Sequence, residues 1–349
     1  MFPYIILFTF PALMAVFQPT SKPWKSLLVW IPTWIVYTLY IGLRHEVGSD
    51  WFNYLAMFNR DVPSMNYMDA LKHGDPAYWL LQVWVYQNGW DIHIINLVAA
   101  VLFMTGLVVF LRRLPNPWLG LVITLAYVVL GVAMGYVRQG IALGLTLWAI
   151  TALIDRKFIK YIILIALAAA FHKTAVLMLG FGLFQGGKGK YFKALAAVIM
   201  GVGIYVAFMS GYEEQYVKSY IESGMYSSGA YIRVIMNAIP AFFFLWFRKR
   251  WKQFWPKGYV LWLLMAFGSV AALFLVPFAT TVVDRMSLYF VPMQIAVFAS
   301  LPLFLKGKVS PKLTTFLIVI YYALVHFVWL GFAKWAYMWL PYQNILFMN

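Results

Sequence analysis

Cysteine is absent from the 349 residues, so no disulfide staples any loop. The absence fits a chain that exposes loops to an oxidising compartment without needing such staples. Charge is scarce as well: Asp, Glu, Lys and Arg make up 11% of the residues, against about a quarter in an ordinary globular domain. With 64% hydrophobic residues and a mean hydropathy of +0.78, that shortage excludes a water-soluble fold. Carboxylates are rarest, 11 against 27 Lys and Arg, which leaves a net charge of +16. The sequence also lacks metal-ligand spacing, a P-loop, a dinucleotide fingerprint, a nucleophile elbow, an internal repeat and any low-complexity segment.

What remains is a series of apolar runs close to the length of a bilayer crossing. They predict an all-α, polytopic integral membrane protein, one transmembrane domain over 1–349, with about 10–12 transmembrane or re-entrant helices of roughly 20 residues each. The apolar N-terminus has no basic leader and no small-residue cleavage site, so it reads as a retained helix. The basic excess would suggest nucleic acid in a soluble protein, but its placement gives another answer. Lys and Arg collect in clusters around 22–25, 112–113, 156–160, 188–193, 248–257 and 306–312, between the apolar runs. Placing all six in the cytoplasm orients the chain, and no nucleic-acid partner is needed.

In that orientation 1–18 crosses inward and 27–43 outward. The run 77–90 is too short to span and lies in the outer interface. Crossings follow at 92–111, 118–136 and 138–154. The run 161–184 is flanked by basic clusters on both sides, which predicts a re-entrant hairpin with Phe171-His172-Lys173 at its tip. Further crossings fall at 192–209, 231–247, 258–276, 287–305 and 313–331, with outer loops at about 44–76 and 210–230. Of the 11 carboxylates, all but Asp155 then lie outside, although none was used to set the orientation.

The stretch Arg44 to Tyr54 puts Arg44, His45, Glu46, Asp50, Asn53 and Tyr54 at the end of an apolar run. A cluster of that kind near a bilayer reads as a site. Arg44, Arg138, Arg233 and Arg285 each sit at the outer end of a different predicted helix, and His172 reaches toward the same level from below. Four Arg at one depth suggest an anion site, because a planar guanidinium gives paired, charge-assisted hydrogen bonds to phosphate. Taken singly, each Arg equally fits an interface anchor or a partner for a carboxylate, as Asp284 beside Arg285 illustrates. Arg138-Gln139, among Gly135, Gly140 and Gly144, reads as a helix start or break. His172 fits a general base, a phosphate ligand or a polar plug, whereas His93 and His326 read as packed or interfacial. Tyr212, Tyr216 and Tyr220 offer either stacking faces to sugars or an aromatic belt.

Arg44 followed by Gly48-Ser49-Asp50 and Asn53-Tyr54, then Asp75-Pro76-Ala77-Tyr78, Val137-Arg138-Gln139-Gly140-Ile141-Ala142, and Ala168-Ala169-Ala170-Phe171-His172-Lys173 resembles the EpsG family of Wzy-type polysaccharide polymerases. The likeness is good over about 43–174; beyond that it rests on hydropathy and on the Arg285 to Tyr289 segment. Gly48-Ser49-Asp50 stands where the family often has Gly-Thr-Asp, and keeps a hydroxyl. Asp75-Pro76-Ala77 stands where it often has Glu-Pro-Gly, which leaves the role of that carboxylate open.

The resemblance implies a GT-C-type glycosyltransferase at the outer, periplasmic face of the bacterial inner membrane. Its substrates would be undecaprenyl-pyrophosphate-linked glycans, the growing chain being transferred onto a new lipid-linked repeat unit with release of undecaprenyl pyrophosphate. Such a sugar is already activated, so the enzyme must chiefly stabilise departing charge and deprotonate an acceptor hydroxyl. The implied roles are pyrophosphate binding for Arg138 and Arg285, helped by Arg44 and Arg233, with no metal and no cofactor. His172, Asp50 or Asp75 would be the base, and direct attack would invert the anomeric centre. Gln139, Asn53, Tyr54 and Tyr289 would face the glycan; membrane lipids and a chain-length regulator protein are the other implied partners. A metal-dependent variant would use Glu46 with Asp50. Two other readings are a flippase or other carrier, against which the one-sided charge and missing repeat argue, and an O-antigen ligase or membrane acyltransferase.

Overall fold

The computed structural model of the chain describes residues 1–17, 26–183, 227 and 229–348. The crossing expected at 192–209, nearly all of the loop expected at 210–230 with its three spaced tyrosines, and the end of the 161–184 hairpin lie outside the described residues. Among the described residues every regular element is helical, and the one strand-like contact is an isolated bridge between Arg44 and Asn344. Among the described residues five helices are long and apolar enough to cross a membrane: Ile92–Leu111, Pro117–Met134, Val137–Ile154, Thr280–Phe304 and Pro311–Phe332. Ala230–Trp246 and Arg248–Phe254, bent by 88°, make a sixth if they form one span, and five shorter apolar helices accompany them. The chain is an all-α polytopic membrane protein.

The contacts divide the chain into two compact units. The first comprises Met1–Trp148, Ala170–His172 and Phe298–Asn349. It holds α1 (Phe2–Phe17), α2 (Leu27–Gly42), α3 (Trp51–Arg60), α4 (Tyr67–Lys72), α5 (Pro76–Gln87), α6 (Ile92–Leu111), α7 (Pro117–Met134) and most of α8 (Val137–Ile154). The long C-terminal helix Pro311–Phe332 belongs here too. Helix starts follow their capping residues: Asp91 accepts from the His93 amide at α6, and Asn116 from that of Leu119 at α7. Small residues bring the backbones together. A Cβ on Gly106 of α6 would fall 1.8 Å from the Gly144 carbonyl oxygen of α8, so these helices meet only because both positions are glycine.

Segment 44–76, expected as a loop, carries two short helices. Asn66 and Asp69 form a reciprocal capping box that starts α4, which is why so short a piece is helical. In α7 the last ten residues, Leu125–Met134, widen into a π-helix whose residues are all buried. Gly48 presses against its exit, where a Cβ would sit 2.3 Å from the Met134 carbonyl oxygen; its φ of +119° also suits glycine alone. The C-terminal tail returns to the same place. Its Met338 carbonyl accepts from the Gly48 amide, its Gln343 carbonyl from that of His45, and the Trp339 indole donates to Leu130 inside the π-helix. Gly48, α7 and the tail thereby fix where α3 begins and where α8 restarts.

The second unit comprises Ala149–Ala169 and Lys173–Val297. Its helices include α9 (Phe158–Phe171, shared with the first unit), α10 (Leu179–Leu183), α11 (Ala230–Trp246), α12 (Arg248–Phe254), α13 (Tyr259–Leu275) and α14 (Thr280–Ser287). Ala230, Val234, Ala272, Val276 and Val283 make a small core where α11, α13 and α14 pack. After α9 the chain breaks at His172 and turns through a 3₁₀ segment, Lys173–Met178, before α10. The Tyr161 hydroxyl donates to the Met178 carbonyl and ties that turn to its own helix.

Candidate active site

Asp75 is the starting point because its backbone is strained. It lies in the left-handed region at φ 66° although it is not glycine, and it precedes Pro76, a position that disfavours helical backbone of either hand. Such strain costs on the order of 1–3 kcal/mol and persists only where surrounding structure holds it. The carboxylate is only 3% exposed. Its Oδ2 lies 2.9 Å from Arg138 Nη1 and 3.5 Å from His172 Nδ1. Three chain segments thus converge on one buried oxygen.

The guanidinium of Arg138 is held on its faces as well as at its edge. Its carbon lies 5.9 Å from the ring centre of Tyr54 on α3 and 5.7 Å from that of Tyr78 on α5, whose rings are themselves 5.7 Å apart. Tyr78 belongs to the face of α5 that Asp75 begins, three residues on. Burial raises the Tyr54 phenol above its ordinary value, against the opposing pull of Arg138; Asp50 adds to the rise and so stands close by. Tyr78 shows the same pattern, with burial again the leading cause. Both phenols therefore stay neutral, and Arg138 keeps its charge paired with Asp75. Its side chain remains 31% exposed. A cation fixed by a carboxylate and two rings, yet still open, is suited to receive an anion.

The other predicted residues fall elsewhere. Arg44 is 1% exposed, and its guanidinium donates to the carbonyls of Ile41 (2.5 Å) and Val47 (3.0 Å) and to Asn96 Oδ1 (3.3 Å). Burial pulls it down to about 10, so it remains a cation at neutral pH and knots the end of α2 to α6. Asn53 is exposed, whereas Tyr54 beside it is buried, because adjacent helical positions face about 100° apart. Gln139 is buried in the first turn of α8. Arg138-Gln139 does open a helix, as expected. In the second unit the partner of Asp284 is Arg233, through two bonds of 2.7 and 2.6 Å, and not its sequence neighbour Arg285. Asp284 lies on the buried face of α14, while Arg285, one position on, is half-buried. The Tyr289 hydroxyl meets Thr174 Oγ1 at 3.0 Å. Among the described residues no group of three or more His, Cys, Asp or Glu could hold a metal ion.

Sequence reasoning gave no role to Tyr78, Asn96 or Trp51. Tyr78 was visible as an aromatic three residues beyond a possible N-terminal Asp-Pro, and Asn96 as a lone amide in the apolar α6. Trp51 carried no such signal.

Fold and site define a membrane-embedded protein with a strained, buried acid-base cluster and an open cation. The EpsG family model matches residues 27–344, nearly the whole chain, and the chain belongs to the EpsG family. Members of that family are Wzy-type polysaccharide polymerases, which makes the activity that of a glycosyltransferase-like polymerase. No curated protein and no solved structure matches the chain.

Proposed function

We propose that this protein polymerises undecaprenyl-pyrophosphate-linked repeat units at the periplasmic face of the bacterial inner membrane, by a GT-C-type, metal-independent and inverting transfer. The growing glycan is the donor, a lipid-linked repeat unit the acceptor, and undecaprenyl pyrophosphate the leaving group. The observation that carries this reading is the cluster of Asp75, Arg138 and His172. Arg138 meets the pyrophosphate with the donors that Asp75 does not take, and stabilises the charge that grows as the glycosidic bond breaks. His172 removes the acceptor hydroxyl proton as that oxygen attacks the anomeric carbon. Asp75, bonded to Arg138 and beside His172, orients both neighbours. Asp50 and Tyr54 stand beside Arg138 in the same region; Gln139, Asn53, Arg285 and Tyr289 are proposed from the motif likeness alone. Arg44 supports the site through its buried knot, and Arg233 supports the fold of its own unit. A chain-length regulator is the protein partner this role implies.

The test uses purified protein, a synthetic lipid-pyrophosphate repeat unit and excess EDTA, with products separated by size. A ladder is expected. A ladder only after divalent metal is restored would move the chemistry to Glu46 and Asp50, and a single transfer without a ladder would favour a ligase.

A further inference from the structure

Beside the residues of the Asp75 cluster, within the same unit, the structure lines up four further titratable side chains. Asp91 Oδ1 accepts from the backbone N–H of His93, and its Oδ2 lies 3.0 Å from His93 Nδ1. His93 Nε2 lies 3.0 Å from His45 Nδ1. His45 Nε2 in turn lies 3.9 Å from Glu46 Oε1. The two imidazoles are nearly parallel, at 17°, with centres 5.2 Å apart, so their nitrogens meet edge to edge as a hydrogen bond requires. The Trp51 indole packs on both, at 5.7 and 5.3 Å, and Arg44 stands 5.7 Å from that indole on the buried side. His45 is anchored through its own backbone N–H to Gln343 of the tail.

With both imidazoles neutral, this geometry sets their tautomers. A carboxylate only accepts, so His93 Nδ1 carries hydrogen and donates to Asp91. In the neutral ring His93 Nε2 is then an acceptor, which requires His45 Nδ1 to donate. His45 is left with a bare lone pair on Nε2. Its side chain is 29% exposed, and beside it the half-exposed Glu46 is held in the left-handed region at φ 53°, a second strained non-glycine residue. The outcome is two acceptors side by side, 3.9 Å apart and both partly exposed.

We infer that His45 Nε2 and Glu46, kept acceptor-only by the Asp91–His93 relay, form a second subsite that takes paired hydroxyl groups of a glycan. Two acceptors at this separation are matched by neighbouring hydroxyls, each donating one hydrogen bond. Charged groups around the subsite leave that role intact: Arg44 is committed to carbonyls and Asn96, and Tyr342 of the tail donates to the Tyr40 carbonyl. The inference rests on the glycan-polymerising function proposed above, but involves none of its three central residues.

The full chain is tested in detergent by ¹⁵N spectroscopy of its histidines and by polymer synthesis from a lipid-pyrophosphate repeat unit. Wild-type His45 is expected to carry its hydrogen on Nδ1. Asp91→Asn supplies an amide that can donate to His93 Nδ1, which reverses the chain and puts a hydrogen on His45 Nε2. Asp91→Asn and His45→Ala should each raise the KM for the acceptor unit about tenfold, the loss of one good hydrogen bond. Binding of glycan-free polyprenyl pyrophosphate should stay within about twofold of wild type, since no sugar is present to lose that bond. Should His45→Ala fail to fold, Asp91→Asn alone decides, because the Asp91 side chain is 69% exposed. Hydrogen on Nε2 in the wild type, or wild-type KM in both variants, would overturn the subsite. Wild-type protein that neither binds the pyrophosphate nor makes polymer would instead overturn the function on which it rests.

Discussion

Arg138 reaches back 63 residues to Asp75, and Arg233 reaches forward 51 residues to Asp284. The second pair is closed. Arg233 engages both carboxylate oxygens, Ser227 Oγ binds the same carboxylate and accepts from the same guanidinium, and the Arg233 side chain is 15% exposed. The first pair is open. Arg138 makes one hydrogen bond to Asp75 and is twice as exposed, and a histidine shares the carboxylate oxygen. A bidentate, buried pair has few donors left for a ligand, whereas a one-armed pair presents the rest of its fork. Two identical residue types therefore serve different ends, and the difference lies in how many bonds each packing environment lets them make.

The largest expected effect falls on the open pair. Arg138→Ala should reduce polymer formation by on the order of 10²- to 10³-fold, as loss of a transition-state donor does, while size-exclusion chromatography still shows folded protein. Arg138→Lys should recover little, because an ammonium lacks the planar paired donors. Near-normal polymer from either would end the distinction between the two pairs.

On the closed pair, Arg233→Ala leaves Asp284 buried without its cation and should cost about 3–5 kcal/mol of stability. Thermal unfolding in detergent measures it. Arg233→Met with Asp284→Leu should return most of that loss, since a packed apolar pair can replace a buried ion pair. If the single variant were as stable as wild type, Asp284 would have to be satisfied elsewhere.

Asp75 sharpens the comparison through its backbone. Asp75→Asn keeps a residue tolerant of the left-handed region and should retain the fold, yet lose at least about tenfold in turnover as His172 and Arg138 lose their shared anchor. Asp75→Ala should be less stable than Asp75→Asn by about 1 kcal/mol, since alanine meets the full left-handed penalty.

The smallest effect belongs to a third pair, Arg60 with Asp61, on the protein surface. Arg60 holds the Asp61 carboxyl below its ordinary value, so any stability it adds is present at neutral pH and vanishes as acid protonates the folded carboxylate. Arg60→Gln should leave the neutral-pH melting temperature unchanged, since exposed pairs contribute little. A clear drop would mean that exposure is a poor guide to which pairs matter here.

Several parts of this picture were legible without a structure. Arg138 opens a helix where the run of glycines and the Arg-Gln break suggested it would, and His172 stands at a helix break as expected. Arg44 and Arg233, read as helpers of Arg138, share with it a place at the outer end of an apolar run. They differ because Arg44 turns inward onto carbonyls and Arg233 faces Asp284, and no local signal states which way a side chain will point. The adjacency of Asp284 and Arg285 was misleading for the same reason. Neighbours on a helix diverge, and their partners come from other helices.

The sequence by itself determined that the chain enters a membrane as a bundle of helices. That follows from summed transfer energy, which depends on composition and run length and hardly on partners. Only the tertiary structure decided which arginine stays open, that Asp75 joins Arg138 to His172, and that Asp91 sets the protons of His93 and His45. Those facts depend on distances across tens of residues and on the direction of single bonds, and a hydrogen bond forms or fails over a few tenths of an ångström.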